Sequence, residues 1–235
     1  MDLNNYYSLN GDNFEFSRQQ ASLFAKSVAG DFNPIHDQDH KRFCVPGDLL
    51  FALVLKHFGI SNQMKFEFGG MVSDQVPLHF KETNDQEIII CDDKDKTYLS
   101  IERSGTCSSN LDLINNIVQA YVGFSGQTFP HILVPLMEAH NVMINPDRPL
   151  VIYHSMKIKI NDFSITNPDL ALVDSSLDID GKRGTVRLKF NFVENDKTVG
   201  TGEKTMLLSS LREFDAAKIA KLTETYNERK DTISE

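Results

Sequence analysis

Apolar residues recur along this chain at two periods, and the places where the period changes mark its elements. In 18–29, Ala21, Phe24, Ala25 and Val28 fall at helical spacing. Ser17 precedes them as an N-cap with Gln20 three residues on, a capping box, and Gly30 follows as a helix-ending glycine. A second helix is expected from Pro46-Gly47-Asp48 to about Phe58, stopped by Gly59, because proline suits a first helical turn. Its run 49–55 is apolar on every side. Such a helix either spans a membrane or is enclosed by protein. It is far shorter than the roughly 20 residues a span needs, so protein must enclose it. A curved antiparallel sheet would do so.

The chain supplies strands for that sheet. Extended segments are expected at 64–68, 75–80, 87–91 and 97–102, with a turn at Asp92-Asp93-Lys94-Asp95. The order then repeats. Leu111, Leu113, Ile114, Ile117, Val118 and Tyr121 predict a third helix ending near Gly123 and Gly126. An apolar helix is expected over 129–144, kinked or delayed by Pro135. Strands follow at 150–160, 170–179, 185–193 and 198–208, and a charged helix at 215–229 closes the chain. Residues 1–13 read as a loosely ordered lead. A buried helix followed by strands in hairpin order is an α+β pattern. Its repetition divides the chain into units at 1–108 and 109–235.

Composition narrows the function. With 235 residues, 40% of them hydrophobic, the chain can bury a sizeable core. A net charge of -9 argues against a nucleic-acid or anionic-membrane surface. Lys41, Arg42, Lys56 and Lys65 read as scattered solvent-facing cations. Three cysteines, Cys44, Cys91 and Cys107, have no metal-site spacing and suit a reducing compartment. No basic-then-apolar leader opens the sequence. The expectation is a cytoplasmic protein with no metal and no cofactor.

Chemistry concentrates in Gly30-Asp31-Phe32-Asn33-Pro34-Ile35-His36. Proline fixes its own φ and pushes Asn33 toward extended geometry, so Asp31 and His36 sit in a stiff polar turn. A carboxylate and an imidazole held together can move protons near neutral pH, worth roughly 10²–10⁴-fold in rate. Turn chemistry alone would also account for Asp31 and Asn33. His36, Asp39 and His40 are metal-ligand types without a further ligand set. Glu138 and His140 are two apart on a helix and point to different faces. Asp48 suits the positive end of its helix. Gly126-Gln127-Thr128-Phe129-Pro130-His131 echoes the glycine-to-proline spacing, with Gln127 where the acid would be.

The stretch 24–36 resembles the signature of the MaoC-like, (R)-specific enoyl-CoA hydratases. The resemblance implies a hotdog fold, here a double hotdog of two fused units, each with a long apolar helix wrapped by an antiparallel sheet. It implies that Asp31 and His36 hold a water for addition to a trans-2-enoyl thioester of CoA or of an acyl-carrier protein. Gly47, at the start of the apolar helix, would offer an N–H to the enolate oxygen. Asn33 would brace the loop, and Leu50 and Phe51 would meet the acyl chain. The segment between His36 and the helix is shorter than the family's, and Pro46-Gly47 replaces its His-Gly. A non-catalytic acyl-thioester-binding module with a relic site and an acyl thioesterase stay open as rivals. Pairing of two chains into a homodimer also stays open.

Overall fold

The computed structural model describes residues 1–234. The chain opens with a 3-10 turn, Leu3–Tyr6, then β1 (Ser8–Asn10), β2 (Asn13–Glu15) and α1 (Arg18–Phe24), whose last turn widens over Ala25–Ala29. The polar turn leads to α2 (Gly47–Phe58), β3 (Ile60–Phe68), β4 (Leu78–Asn84), β5 (Glu87–Asp92) and β6 (Thr97–Ser108). Next come α3 (Leu111–Gly126), a single interrupted turn α4 (Thr128–His131), α5 (Leu133–Ala139) and β7 (Val142–Met143). The chain ends with β8 (Val151–Ile160), β9 (Asp169–Asp180), β10 (Arg183–Glu194), β11 (Lys197–Ser209), β12 (Arg212–Glu213) and α6 (Ala216–Ser234).

Ten strands form one sheet in the order β1-β2-β4-β5-β6-β3-β8-β11-β10-β9, and every adjacent pair is antiparallel. The architecture is therefore α+β. Strands from the first 108 residues make one side of the sheet and those after residue 150 the other. The two sides join where β3 pairs with β8, from Gln63↔Lys159 to Glu67↔Ser155. The apolar helix α2 is enclosed as its sequence demands: Leu49 through Leu55 are all buried. Phe51 meets Phe66 of β3 edge-on at 5.2 Å and Tyr121 of α3 at 4.9 Å. The same core takes Ile88, Ile90, Leu99 and Ile101 from one side of the sheet and Ile158, Phe190 and Phe192 from the other. A smaller core lies under α5, where Leu133 and Met137 pack with Val186, Leu188, Met206, Leu208 and Ile219 of α6.

Four expectations change. The segment 129–144 is not one helix. Phe129 precedes Pro130 and is extended (φ -104°, ψ 134°), which interrupts α4, and Asn141 at φ 51° turns the chain into β7. The long apolar helix of the second half is α3. The lead 1–13 is tied down: Leu3, Tyr7 and Phe14 are buried, and Lys56 Nζ donates to Asn4 Oδ1 at 2.6 Å. The strand expected at 75–80 starts at Leu78, because Gln75 turns at φ 57° and bonds to the Phe16 carbonyl instead. No helix among the described residues is long and apolar enough to cross a membrane.

Two glycines of α3 differ in what surrounds them. A Cβ on Gly126 would lie 1.8 Å from the Ala29 carbonyl oxygen, whereas one on Gly123 meets nothing within 4 Å. Gly126→Ala is expected to cost on the order of 1–3 kcal/mol through backbone displacement. Gly123→Ala is expected to gain about 0.5–1 kcal/mol from helix propensity. Thermal melts should therefore move in opposite directions, by about 2–4 °C per kcal/mol.

Candidate active site

The turn after α1 is built by its own polar side chains. Gly30 takes the left-handed conformation (φ 62°, ψ 27°), and the Asp31 N–H donates to the Ala25 carbonyl at 2.8 Å, closing the widened turn. Asp31 Oδ1 accepts from the Asn33 N–H at 2.9 Å, and Asn33 Oδ1 caps the 3-10 turn Pro34–His36 by accepting from Ile35 N–H at 3.2 Å. His36 Nδ1 lies 2.7 Å from the Cys44 carbonyl oxygen. A carbonyl only accepts, so Nδ1 carries the proton. In the neutral ring, Nε2 then presents its lone pair to Asp31 Oδ2, 3.5 Å away.

Three other elements hold this loop. Gly126, at the end of α3, abuts the backbone of Ala29 and Asp31. Tyr226 of α6 places its hydroxyl 3.3 Å from the Phe32 N–H, 3.3 Å from the Gly30 carbonyl and 3.2 Å from the Gly126 carbonyl. Its ring stands edge-on to Phe32 at 5.9 Å and Phe129 at 5.3 Å. Asp37 receives Lys26 Nζ at 2.7 Å and also the Arg229 guanidinium.

Asp31 and His36 open into a cavity of about 500 Å³. Its walls are mainly apolar: Ile35, Val45, Leu50, Phe68, Val72, Phe129, Leu133, Ile144 and Met206 contribute. Asp48, Ser125 and Lys204 also line it. These three form a buried chain. Ser125 Oγ lies 2.5 Å from Asp48 Oδ2, and Lys204 Nζ bonds to Ser125 Oγ. Lys204 Nζ also stands 4.3 Å from the centre of the Tyr153 ring, and the Tyr153 and Tyr121 hydroxyls bond to each other. Asp48 and Lys204 are only 8% and 4% exposed. Asp48 Oδ1 is buried without a hydrogen-bond partner.

This environment drives the two carboxyls apart. Burial pushes Asp31 up, but the hydrogen bond and charge of His36, the Asn33 N–H and Lys204 outweigh it and hold it below the ordinary 3.8. Burial raises Asp48 above 3.8 against the pull of Lys204 and Ser125, with Asp31 adding to the rise and His36 opposing it. Burial likewise lowers the Lys204 ammonium below 10.5, against Asp48 and Asp31. It also keeps the Tyr121 and Tyr153 hydroxyls neutral and pushes the Cys44 thiol up to about 12.

Of the residues expected from the sequence, Asp31, Asn33, His36, Gly47 and Leu50 all line this cavity. Phe51 does not. It points into the core against Phe66 and Tyr121, because successive helical residues face about 100° apart. Asn33 uses its side chain as a turn cap. Asp48, expected as a dipole partner, is a buried member of the site. Lys204, Ser125, Tyr153 and Tyr226 went unrecognised. A lysine facing inward in β11 between Gly202 and Met206 was the one available signal. Glu138 and His140 are exposed. Of the cysteines, Cys91 is buried, Cys44 half-buried and Cys107 exposed. Among the described residues no group of three or more His, Cys, Asp or Glu is arranged to hold a metal.

The family model described as "Protein of unknown function (DUF3581)" matches residues 1–217. Helix α6, which brings Tyr226 and Arg229 to the loop, extends beyond that match. No curated protein matches the sequence. Three solved structures are similar in outline. An acyl-CoA thioesterase II TesB2 from Mycobacterium marinum is 10% identical over 88% of this chain and 96% of its own, with a TM-score of 0.47. A conserved protein with a hot dog fold from Alicyclobacillus acidocaldarius is 9% identical over 88% and 97%, at 0.48. A MaoC-like dehydratase is 9% identical over 87% and 98%, at 0.44. None of these likenesses specifies a reaction for this chain.

The depressed Asp31 carboxyl makes a pH prediction. A carboxyl lowered on folding stabilises the protein above its unfolded value of 3.8, and that contribution is lost as pH falls through the folded value. Wild type is expected to exceed Asp31→Asn in urea-unfolding free energy above about pH 5, with the gap closing below about pH 4. A gap independent of pH would contradict an Asp31 carboxyl held below its ordinary value.

Proposed function

The chain belongs to the DUF3581 family, and for it we propose hydration of a trans-2-enoyl thioester at the Asp31–His36 cavity. The observation that carries this reading is the convergence of Asp31 Oδ2 and His36 Nε2, 3.5 Å apart, on the wall of an apolar cavity. Both atoms are acceptors when Asp31 is ionised and His36 is neutral. One water can donate to both, which holds its oxygen toward a bound substrate. Asp31, kept ionised, takes the proton as that oxygen adds to the β-carbon. The N–H of Gly47 at the start of α2 has no helical partner and is offered to the enolate oxygen. A Cβ on Gly47 would lie 2.9 Å from the Phe68 ring and 3.0 Å from that of Tyr153, so glycine lets both rings close over the helix start.

The apolar walls suit the acyl chain of the thioester, carried on CoA or on a carrier protein, with Leu50 among its contacts. In this reading the ten-stranded sheet is a double hotdog, its units at 1–108 and 109–235 joined through β3 and β8. The site belongs to both, since Ser125, Tyr153 and Lys204 come from the second unit.

Loss of the conjugated enoyl absorbance tests the proposal, with crotonyl-CoA and longer enoyl-CoAs as substrates. Wild type is expected to turn over, and Asp31→Asn and His36→Ala each to lose roughly 10²-fold or more in kcat. Release of free thiol in place of hydration would make the protein a thioesterase. A thermal shift with acyl-CoA and no turnover at any chain length would make it a binding module.

A further inference from the structure

The Asp31–His36 pair accounts for the base, and before it takes water's proton it offers none of its own to the cavity. His36 Nδ1–H is committed to the Cys44 carbonyl, and Nε2 faces Asp31. If His36 is neutral, Nε2 carries no proton; if it is charged, its Nε2–H points at the Asp31 carboxylate. In neither state does the pair aim a spare proton into the cavity. Hydration takes one proton from water and places one at the α-carbon; Asp31 can return the proton it takes, or a donor that already faces the cavity can supply it.

We propose that Lys204, Ser125 and Asp48 form a buried proton relay that supplies this proton, with Lys204 as the donor and Asp48 as the store. This inference rests on the hydratase reading of the same cavity. The chain is continuous, from Lys204 Nζ to Ser125 Oγ to Asp48 Oδ2. All three side chains line the cavity and are otherwise sealed from solvent. The unpartnered Oδ1 of Asp48 fits a protonated acid, since an orphaned carbonyl oxygen in an apolar site costs less than an orphaned carboxylate oxygen. The charged and titratable groups within electrostatic reach of Asp48 are Lys204 of β11, Asp31 and His36 of the loop, Tyr121 of α3 and Tyr153 of β8.

The step balances. As the enolate collapses, the Lys204 Nζ–H bond breaks and its proton goes to the α-carbon. The Ser125 hydroxyl, which at rest donates to Asp48 Oδ2, turns to give its proton to the neutral Nζ, and the Asp48 proton moves to Oγ. The relay has then lost one proton and ends as an Asp48 carboxylate with a Lys204 ammonium. Asp31 holds the proton taken from water, and exchange of protons with solvent resets both.

Two measurements decide it. Infrared spectroscopy of the ligand-free protein near neutral pH is expected to show a protonated-carboxyl band. That band should shift in deuterium oxide and vanish in the nearly isosteric Asp48→Asn variant. A spectrum in which Asp48→Asn removes no such band overturns the relay, whether or not any substrate turns over. The second arm uses Lys204→Arg, which keeps the charge and hydrogen bonding but does not release a proton. It is expected to lower kcat roughly 100-fold or more with KM unchanged. Wild-type kcat in Lys204→Arg would overturn the donor role, showing that charge alone suffices. Absence of hydration by the wild type sinks the hydratase reading, and the infrared band still decides the shared proton.

Discussion

A helix that is apolar on every side cannot rest on a surface, and this constraint on α2 organises the molecule. Leu49 through Leu55 are buried together, each large side chain contributing about 1.5–3 kcal/mol by leaving water. On one side of α2, Phe51 packs against both Tyr121 of α3 and Phe66 of the sheet. The sheet has to take strands from both ends of the chain to close that core. Hence β3 and β8, remote in sequence, become neighbours. The start of α2 then lies where both halves meet, and Gly47 and Asp48 line the cavity.

The same closure positions the polar loop. A loop carrying Asp31 and His36 would be mobile if it were anchored only at its ends. Here its backbone is touched by Gly126 of α3 and bonded by Tyr226 of α6, and Asp37 is gripped by Lys26 and Arg229. These contacts hold the 3.5 Å separation between Asp31 Oδ2 and His36 Nε2, a separation that side-chain freedom would otherwise blur. The polar chain from Lys204 to Asp48 depends on the same packing. Its members come from β11, α3 and α2, and a shift of any one would leave a buried polar group unpaired.

Local rules carried far along the chain. The Ser17–Gln20 capping box forms on both sides, with Ser17 Oγ accepting from the Gln20 N–H and Gln20 Oε1 accepting from the Ser17 N–H. Gly30 ends its helix in the left-handed conformation, and the four strands after residue 150 fall within one or two residues of their expected limits. Local rules failed where a segment's fate was decided elsewhere. The polar lead becomes ordered because Leu3, Tyr7 and Phe14 find the core, and Phe51 turns from the cavity because Phe66 and Tyr121 lie on its side of the helix.

By itself the sequence determined what depends on near neighbours. That includes the helix caps, the strand periods, the enclosed helix and the turn that brings Asp31, Asn33 and His36 together. Those features follow from backbone preferences and side-chain hydrogen bonds spanning a few residues. Only the tertiary structure decided that Lys204, 156 positions beyond Asp48, reaches it through Ser125. The inward position of Lys204 in the alternation of β11 hints at burial, but its partners are properties of three packed elements. The tertiary structure likewise brought Tyr226 and Arg229 onto the loop from the last helix. A charge on a strand or helix reads as solvated until the surface opposite it is known, and that surface exists only once the core has closed.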